Sequence, residues 1–256
     1  MPGNELDVII FLYENIGKIV LTHIGVVQTL SLPGKGHIYN IADCHKGTSD
    51  DSRKKADISI NDIGVSIKQE GGCNLYNRLQ RANLKDIFTH LGYDDVEEKL
   101  SIIDKEVVNF HNQQLEKRNR PWQTFFSETE FKDLLHFLMM IGSGNMKVSS
   151  YPAELILEAP KNIISNESIN VYTFDEYFEK YKNNISIAIR RGWIGQKSKS
   201  EHKRALGLTR KNGNTPWVFN SVSGAPRSGW METFPLKNRK TVYYLMIEKS
   251  NSIVYQ

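Results

Sequence analysis

The chain has 256 residues, 39% of them hydrophobic and 24% charged, which allows a sizeable core and excludes disordered, collagen-like and coiled-coil classes. No apolar run approaches the roughly 20 residues a bilayer span needs. The opening MPGNELD lacks the basic region and cleavage site of a signal peptide, and Cys44 and Cys73 are too few for a disulfide scaffold, so the expectation is a protein of a reducing cytoplasm with no membrane partner.

The net charge of +4 conceals a strong segregation. From Arg190 to Lys240 there are twelve Lys/Arg against two acids, a net +10, whereas residues 1–189 hold twenty Lys/Arg against twenty-six acids, a net −6. A basic segment of this kind points to a polyanionic partner, either nucleic acid or an anionic surface.

In chain order, Glu5 to Ile16 places Leu6, Ile9, Ile10 and Tyr13 at helical spacing and predicts an amphipathic helix. Residues 18–42, broken at Gly25, Pro33, Gly34 and Gly36, predict short strands or irregular structure, and the polar stretch from Asp43 to Lys55 predicts an exposed loop. Two runs then alternate with period two, Ala56 to Ile60 and Val65 to Gln69, around the turn formers Asn61-Asp62-Ile63-Gly64. They predict an antiparallel hairpin with Ile60 opposite Val65, Ser59 opposite Ser66 and Asp57 opposite Lys68. One face is then apolar and the other carries Asp57, Ser59, Ser66 and Lys68.

After Gly71 and Gly72, the spacing of Leu75, Leu79, Ala82, Ile87 and Leu91 predicts a helix with Arg78, Arg81 and Lys85 beside its apolar face. Helices follow over Asp94 to Arg118 and Glu128 to Ile141. Residues 142–150 (GSGNMKVSS) have linker composition. Beyond them come a strand over Glu154 to Glu158, a helix over Phe174 to Lys182, and strands near Ile185 to Ile189, Trp217 to Asn220 and Val242 to Ile247. The fold class is mixed α/β, with one region over 1–142 and a second over 143–256 that either stands apart or packs continuously with the first.

A hairpin whose polar face holds an acid and a lysine suits hydrolysis of a phosphodiester. That reaction requires a divalent cation to neutralise the phosphate and activate a water, and a second positive group near the developing charge. Magnesium asks only for one or two carboxylates, a carbonyl and substrate oxygens.

Ala56-Asp57 followed by Ser66-Ile67-Lys68 resembles the active-site hairpin of the PD-(D/E)xK nucleases, in particular the type II restriction endonucleases. The resemblance covers about 13 residues. It implies a restriction-endonuclease-like core, a central mixed β-sheet flanked by helices, followed by a C-terminal DNA-recognition region. It also implies a prokaryotic source and Mg2+-dependent, site-specific cleavage of double-stranded DNA. Asp57 matches the metal-binding Asp, Ile67 the spacer whose carbonyl reaches the metal, and Lys68 the catalytic lysine. Ser66 stands where the family has Glu or Asp, so another acid must complete the site. Glu14 on the first helix is the leading candidate, ahead of Glu70, Asp50 and Asp51.

Around the hairpin, Arg53 and Lys54 before it and Asn74, Asn77, Arg78 and Arg81 after it are phosphate-contacting types. The basic segment supplies Arg190, Arg191, Lys197, Lys199, Lys203, Arg204, Arg210, Lys211, Asn212 and Arg227. This mixture suits base edges in a duplex groove, and glycines 192, 195, 207 and 213 interrupt any membrane-binding helix. A palindromic target favours a twofold homodimer. The alternatives are a non-catalytic sequence-specific nucleic-acid-binding protein and a modification-dependent or repair nuclease.

Overall fold

The computed structural model describes residues 4–48, 54–111, 119–162, 164–193 and 241–254. The strand expected at Trp217 to Asn220 and most of the basic segment lie outside them, as does the end of the helix expected to reach Arg118. The chain divides into two units, Met1–Leu75 with Phe131–Ile185 and Glu248–Gln256, and Tyr76–Glu130 with Ser186–Ile247. Residue 142 falls inside the first.

The first unit opens with helix α1 (Glu5–Glu14), two residues shorter than the periodicity predicts. Its buried residues are Val8, Ile9 and Leu12, while Leu6, Ile10 and Tyr13 only flank the core. Each full burial of this kind stabilises by about 1.5–3 kcal/mol. The start of the helix is fixed by Asn4, whose buried side chain donates to the carbonyls of Ala159 and Pro160 at 2.7 and 2.8 Å.

A short hairpin, β1 (Val20–Leu21) and β2 (Gly25–Val26), leads to β3 (Leu30–Leu32), β4 (Gly36–His37) and the single turn α2 (Ile41–Cys44). Next come β5 (Ile58–Ile60) and β6 (Ile63–Gln69), followed by β7 (Cys73–Gln80), on which the chain crosses to the second unit. It returns with α5 (Glu128–His136), numbered after the helices α3 and α4 and the strand β8 given below, and continues with β9 (Leu155–Ala159), β10 (Asn170–Tyr172) and α6 (Phe174–Tyr181). The main sheet has the order β10-β9-β6-β5-β3-β4; β6 and β9 run parallel and the other neighbours antiparallel. The fold is mixed α/β. One sheet face supplies Ile58, Ile60, Val65, Ile67, Leu155 and Leu157 to the core with α1.

The β5–β6 hairpin forms with a register different from the predicted one. Asn61 and Asp62 both have positive φ (50° and 67°), the signature of a two-residue turn whose twist matches the strands. Ile60 therefore pairs with Ile63, Ser59 with Gly64 and Ile58 with Val65. Asn61 stabilises the turn through its side chain, which accepts from the Gln28 and Thr29 amides and donates to the Val26 carbonyl. Relative to the four-residue connection the pairing slides by two residues, an even number, so every side chain keeps its face. Gly64 is required here because a Cβ would lie 2.4 Å from the Pro152 carbonyl oxygen.

Residues 142–150 form a hydrogen-bonded turn, with Gly142 bridged to Val148 and Ser143 N–H bonded to Lys147 O. The helix expected to reach Ile141 changes to a π-helical turn over Phe137–Ile141, and Gly142 follows because a Cβ there would sit 2.3 Å from the Phe137 ring. Glycine and serine serve close approach and turning in this segment.

The second unit contains α3 (Arg81–His90), α4 (Val96–His111), β8 (Asn119–Pro121) and most of β11 (Ile185–Trp193) and β12 (Thr241–Lys249). The second sheet has the order β7-β12-β11-β8. Residues 73–80 form a strand where the apolar spacing predicts a helix. Leu75 and Leu79 are four apart, which satisfies a 3.6-residue period and a period of two alike, and pairing with a distant strand decides between them.

Candidate active site

Asp57 immediately precedes β5, where the backbone ladder with β6 ends. Its own amide donates to Val65 O at 2.9 Å, and its carboxylate continues the pairing: Oδ2 accepts the Ile67 amide at 2.7 Å. The same oxygen accepts the Ser66 hydroxyl at 3.3 Å. Lys68 Nζ in turn donates to Ser66 Oγ at 2.8 Å and lies 3.4 Å from Ile67 O. The two strands thus build a relay from Lys68 through Ser66 to Asp57, with Ser66 only 1% exposed. Asp57 Oδ1 accepts no hydrogen bond among the described residues.

Asp57, Ser66, Ile67 and Lys68 are therefore brought together, and by a shorter route than the predicted register. Under that register Asp57 would stand opposite Lys68; in the observed one it stands opposite Ser66, which carries the connection. Burial drives the Asp57 carboxyl above its ordinary range, opposed by the Lys68 charge, the Ile67 amide, the Ser66 hydroxyl and Lys55.

Glu14 is not part of this group. It lies exposed at the far end of α1, nine residues or about 13 Å from the helix start, where its charge acts on Cys44. The acid of α1 whose carboxyl feels the charges of Asp57 and Lys68 is Glu5. Its carboxyl is raised by desolvation and then by the Asp57 charge, with Lys68 opposing. Asn4 anchors the first turn of α1 beside the end of β9, so the residue after it is the one held at the strand ends. Helical periodicity locates apolar faces and says nothing of which end of a helix meets the sheet, so no sequence signal selected Glu5 over Glu14.

Lys55 also reaches the site. It precedes Asp57 by two residues and so shares its side of the extended chain, and its Nζ donates to the Leu138 carbonyl in the π-helical turn at 2.8 Å. Burial and the neighbouring Lys68 lower its amine to about 8, with Asp57 opposing. The polar composition of residues 43–55 masks the period-two alternation that sets Lys55 on the same side as Asp57. Lys54 points elsewhere, donating to Pro33 O and lying over the Tyr151 ring at 5.6 Å.

The phosphate-contacting group expected on one helix face is dispersed. Asn74 and Asn77 lie on strand β7, and their odd separation sends them to opposite sides of it. Arg78 is in the same strand. Arg81 opens α3 and makes a two-pronged ion pair with Asp104, Nε to Oδ1 at 2.7 Å and Nη2 to Oδ2 at 2.8 Å, which commits its guanidinium to the second unit. Arg190 and Arg191 lie in β11. Arg53, Asp50 and Asp51 fall outside the described residues, as do Lys197, Lys199, Lys203, Arg204, Arg210, Lys211, Asn212 and Arg227.

Among the described residues there is no cluster of three or more His, Cys, Asp or Glu arranged to hold a metal ion. Glu5, Asp57 and the Ile67 carbonyl are all oxygen donors, the chemistry magnesium accepts while keeping several waters. No helix among the described residues is long and apolar enough to cross a membrane, and Cys44 and Cys73 are both free thiols. No protein-family model matches the chain, and neither a curated protein nor a solved structure was found to be similar to it.

Proposed function

We propose that the protein is a magnesium-dependent endonuclease that cuts double-stranded DNA at a specific site, with a PD-(D/E)xK-like core. The observation that carries this reading is the Lys68–Ser66–Asp57 relay on adjacent strands, joined by Glu5 from the N-terminal helix. Glu5, Asp57 and the Ile67 carbonyl would hold the cation. Bound there, magnesium supplies charge neutralisation at the scissile phosphate and a more acidic water.

The protein groups have separable tasks. Ser66 takes one Lys68 proton in a hydrogen bond and gives its own to Asp57, which orients the ammonium toward the carboxylates. Lys68 positions the attacking water and stabilises the negative charge that builds on the phosphorus-bound oxygens. Asp57 uses Oδ2 to hold the two strands in register and leaves Oδ1 for the cation. The basic segment from Arg190 to Lys240 would bind the duplex, and a palindromic target would be met by a twofold dimer.

The test is digestion of plasmid DNA with magnesium or with EDTA. Discrete fragments are expected only with magnesium, and Asp57→Ala and Lys68→Ala are each expected to lower the cleavage rate by about 100-fold or more. Undiminished cleavage in either variant overturns the site. Salt-sensitive binding with no metal-dependent product would identify a binding protein instead.

A further inference from the structure

Beside the relay lies a second buried charge cluster that the proposed chemistry does not use. Glu158 on β9 is paired in register with Lys68 on the parallel neighbour β6, so both side chains leave the sheet on the same side. Glu158 is 2% exposed, and a carboxylate so placed requires a cation. Three lysines surround it. Lys249, at the end of β12 and 3% exposed, holds it: its Nζ donates to Glu158 Oε1 and sits over the Tyr181 ring at 3.9 Å and the Tyr177 ring at 5.3 Å. Tyr181 donates its hydroxyl to Oε2, and Lys180 Nζ stands 3.9 Å from that oxygen. Lys68, its register partner, is the third, and the Cys73 thiol feels the charges of Lys249, Lys68 and Glu158 together. It turns to Ser66 instead.

We propose that Lys249 is a positioning residue for Lys68: by neutralising Glu158 it removes the buried acid that would otherwise capture Lys68, and so leaves Lys68 to the relay with Ser66 and Asp57. The inference rests on Lys68 being the working cation of the site. Placement of Lys249 depends on the chain that follows it, since Ser250 and Val254 bond through their amides to the carbonyls of Asn184 and Asn183 at 2.9 and 3.0 Å. A residue close to the end of the chain is thereby connected to a hairpin that precedes it by about 180 positions.

An asymmetry separates this role from a merely structural one. Lys249→Met and Glu158→Gln break the same ion pair, yet only the first leaves a charged acid beside Lys68, with the half-exposed Lys180 at 3.9 Å as its remaining ion-pair partner. Single-turnover cleavage of plasmid with magnesium, at a temperature where circular dichroism shows each variant folded, is expected to fall about tenfold or more in Lys249→Met with DNA affinity unchanged. Glu158→Gln and the double variant are expected to stay within about threefold of the unaltered protein. Equal losses in the two single variants, or a folded double variant as impaired as Lys249→Met, overturn the proposal. If Lys249→Met does not fold, the comparison of Glu158→Gln with the double variant decides: a further loss of about tenfold on removing Lys249 refutes it. A readout independent of cleavage is the side-chain nitrogen resonance of Lys68, assigned through Lys68→Arg. It is expected to move in Lys249→Met and return in the double variant. This measurement stands even if the protein cuts no DNA, so failure of the nuclease reading and failure of the positioning role are distinguishable.

Discussion

Replacing Ser66 by alanine isolates the residue at which the hairpin departs from the family pattern. Ser66 makes two hydrogen bonds, one to the Asp57 carboxylate and one from the Lys68 ammonium. Neither partner is orphaned by the change. Asp57 Oδ2 keeps the Ile67 amide at 2.7 Å, and Lys68 is only partly buried and gains water. The expected loss is therefore near the value of a single hydrogen bond to a charged group, about 1.5–2 kcal/mol, a fall in Tm of about 3–8 °C for a chain of this size. If the same energy is lost from the transition state, cleavage slows by about 10- to 30-fold. The effect also depends on pH, with a definite sign. Burial raises the Asp57 carboxyl and the Ser66 donor opposes it, so in Ser66→Ala the carboxyl rises further. A carboxyl raised in the folded state favours folding at low pH and loses that contribution as pH rises through its folded value. The Tm difference between Ser66→Ala and the unaltered protein is then larger at about pH 7 than at about pH 4. Thermal melting at both pH values and plasmid cleavage at neutral pH check this. A variant that melts and cleaves like the unaltered protein refutes the relay, and a Tm loss equal at both pH values refutes its electrostatic part.

Arg81→Ala tests the reassignment of that guanidinium. Removing one member of a partly buried two-pronged pair is expected to cost about 2–3 kcal/mol in urea unfolding and to leave DNA affinity and its salt dependence unchanged. At the start of α6, Thr173 and Glu176 form a reciprocal cap, and the Thr173 amide holds the Glu176 carboxyl below its ordinary range, with His23 and the Thr173 hydroxyl assisting. Stability from such a group is present above the ordinary carboxylate range and is lost as pH falls through the folded value. Glu176→Gln is therefore expected to melt lower than the unaltered protein at neutral pH and to converge with it in acid; a constant offset across the titration would show that the charge is not the stabilising element.

Much of this protein is written in local patterns. Alternation between Ala56 and Gln69 located the hairpin and both of its faces, and the even slip in register left them intact, because a period of two is insensitive to shifts of two. Helical periods also located α1, α5 and α6, and the start of α4, to within a few residues. Where two periods coincide, as at Leu75 and Leu79, the sequence was ambiguous, and strand pairing with residues more than 160 positions away made β7.

The chemistry divides in the same way. Asp57, Ser66 and Lys68 were legible because they lie within twelve residues on two adjacent strands, so their geometry follows from backbone periodicity. Glu5, Lys55, Glu158 and Lys249 were not, because nothing local says which end of a helix, which loop residue or which distant strand closes on the hairpin. Tertiary packing decided that Glu5 rather than Glu14 feels the charges of Asp57 and Lys68, and that Arg81 serves Asp104. Local order along the chain sets which charges are present and on which side of each strand they stand; packing selects which of them meet, since burial makes each unpaired charge costly and forces a partner to be found wherever the fold brings one near.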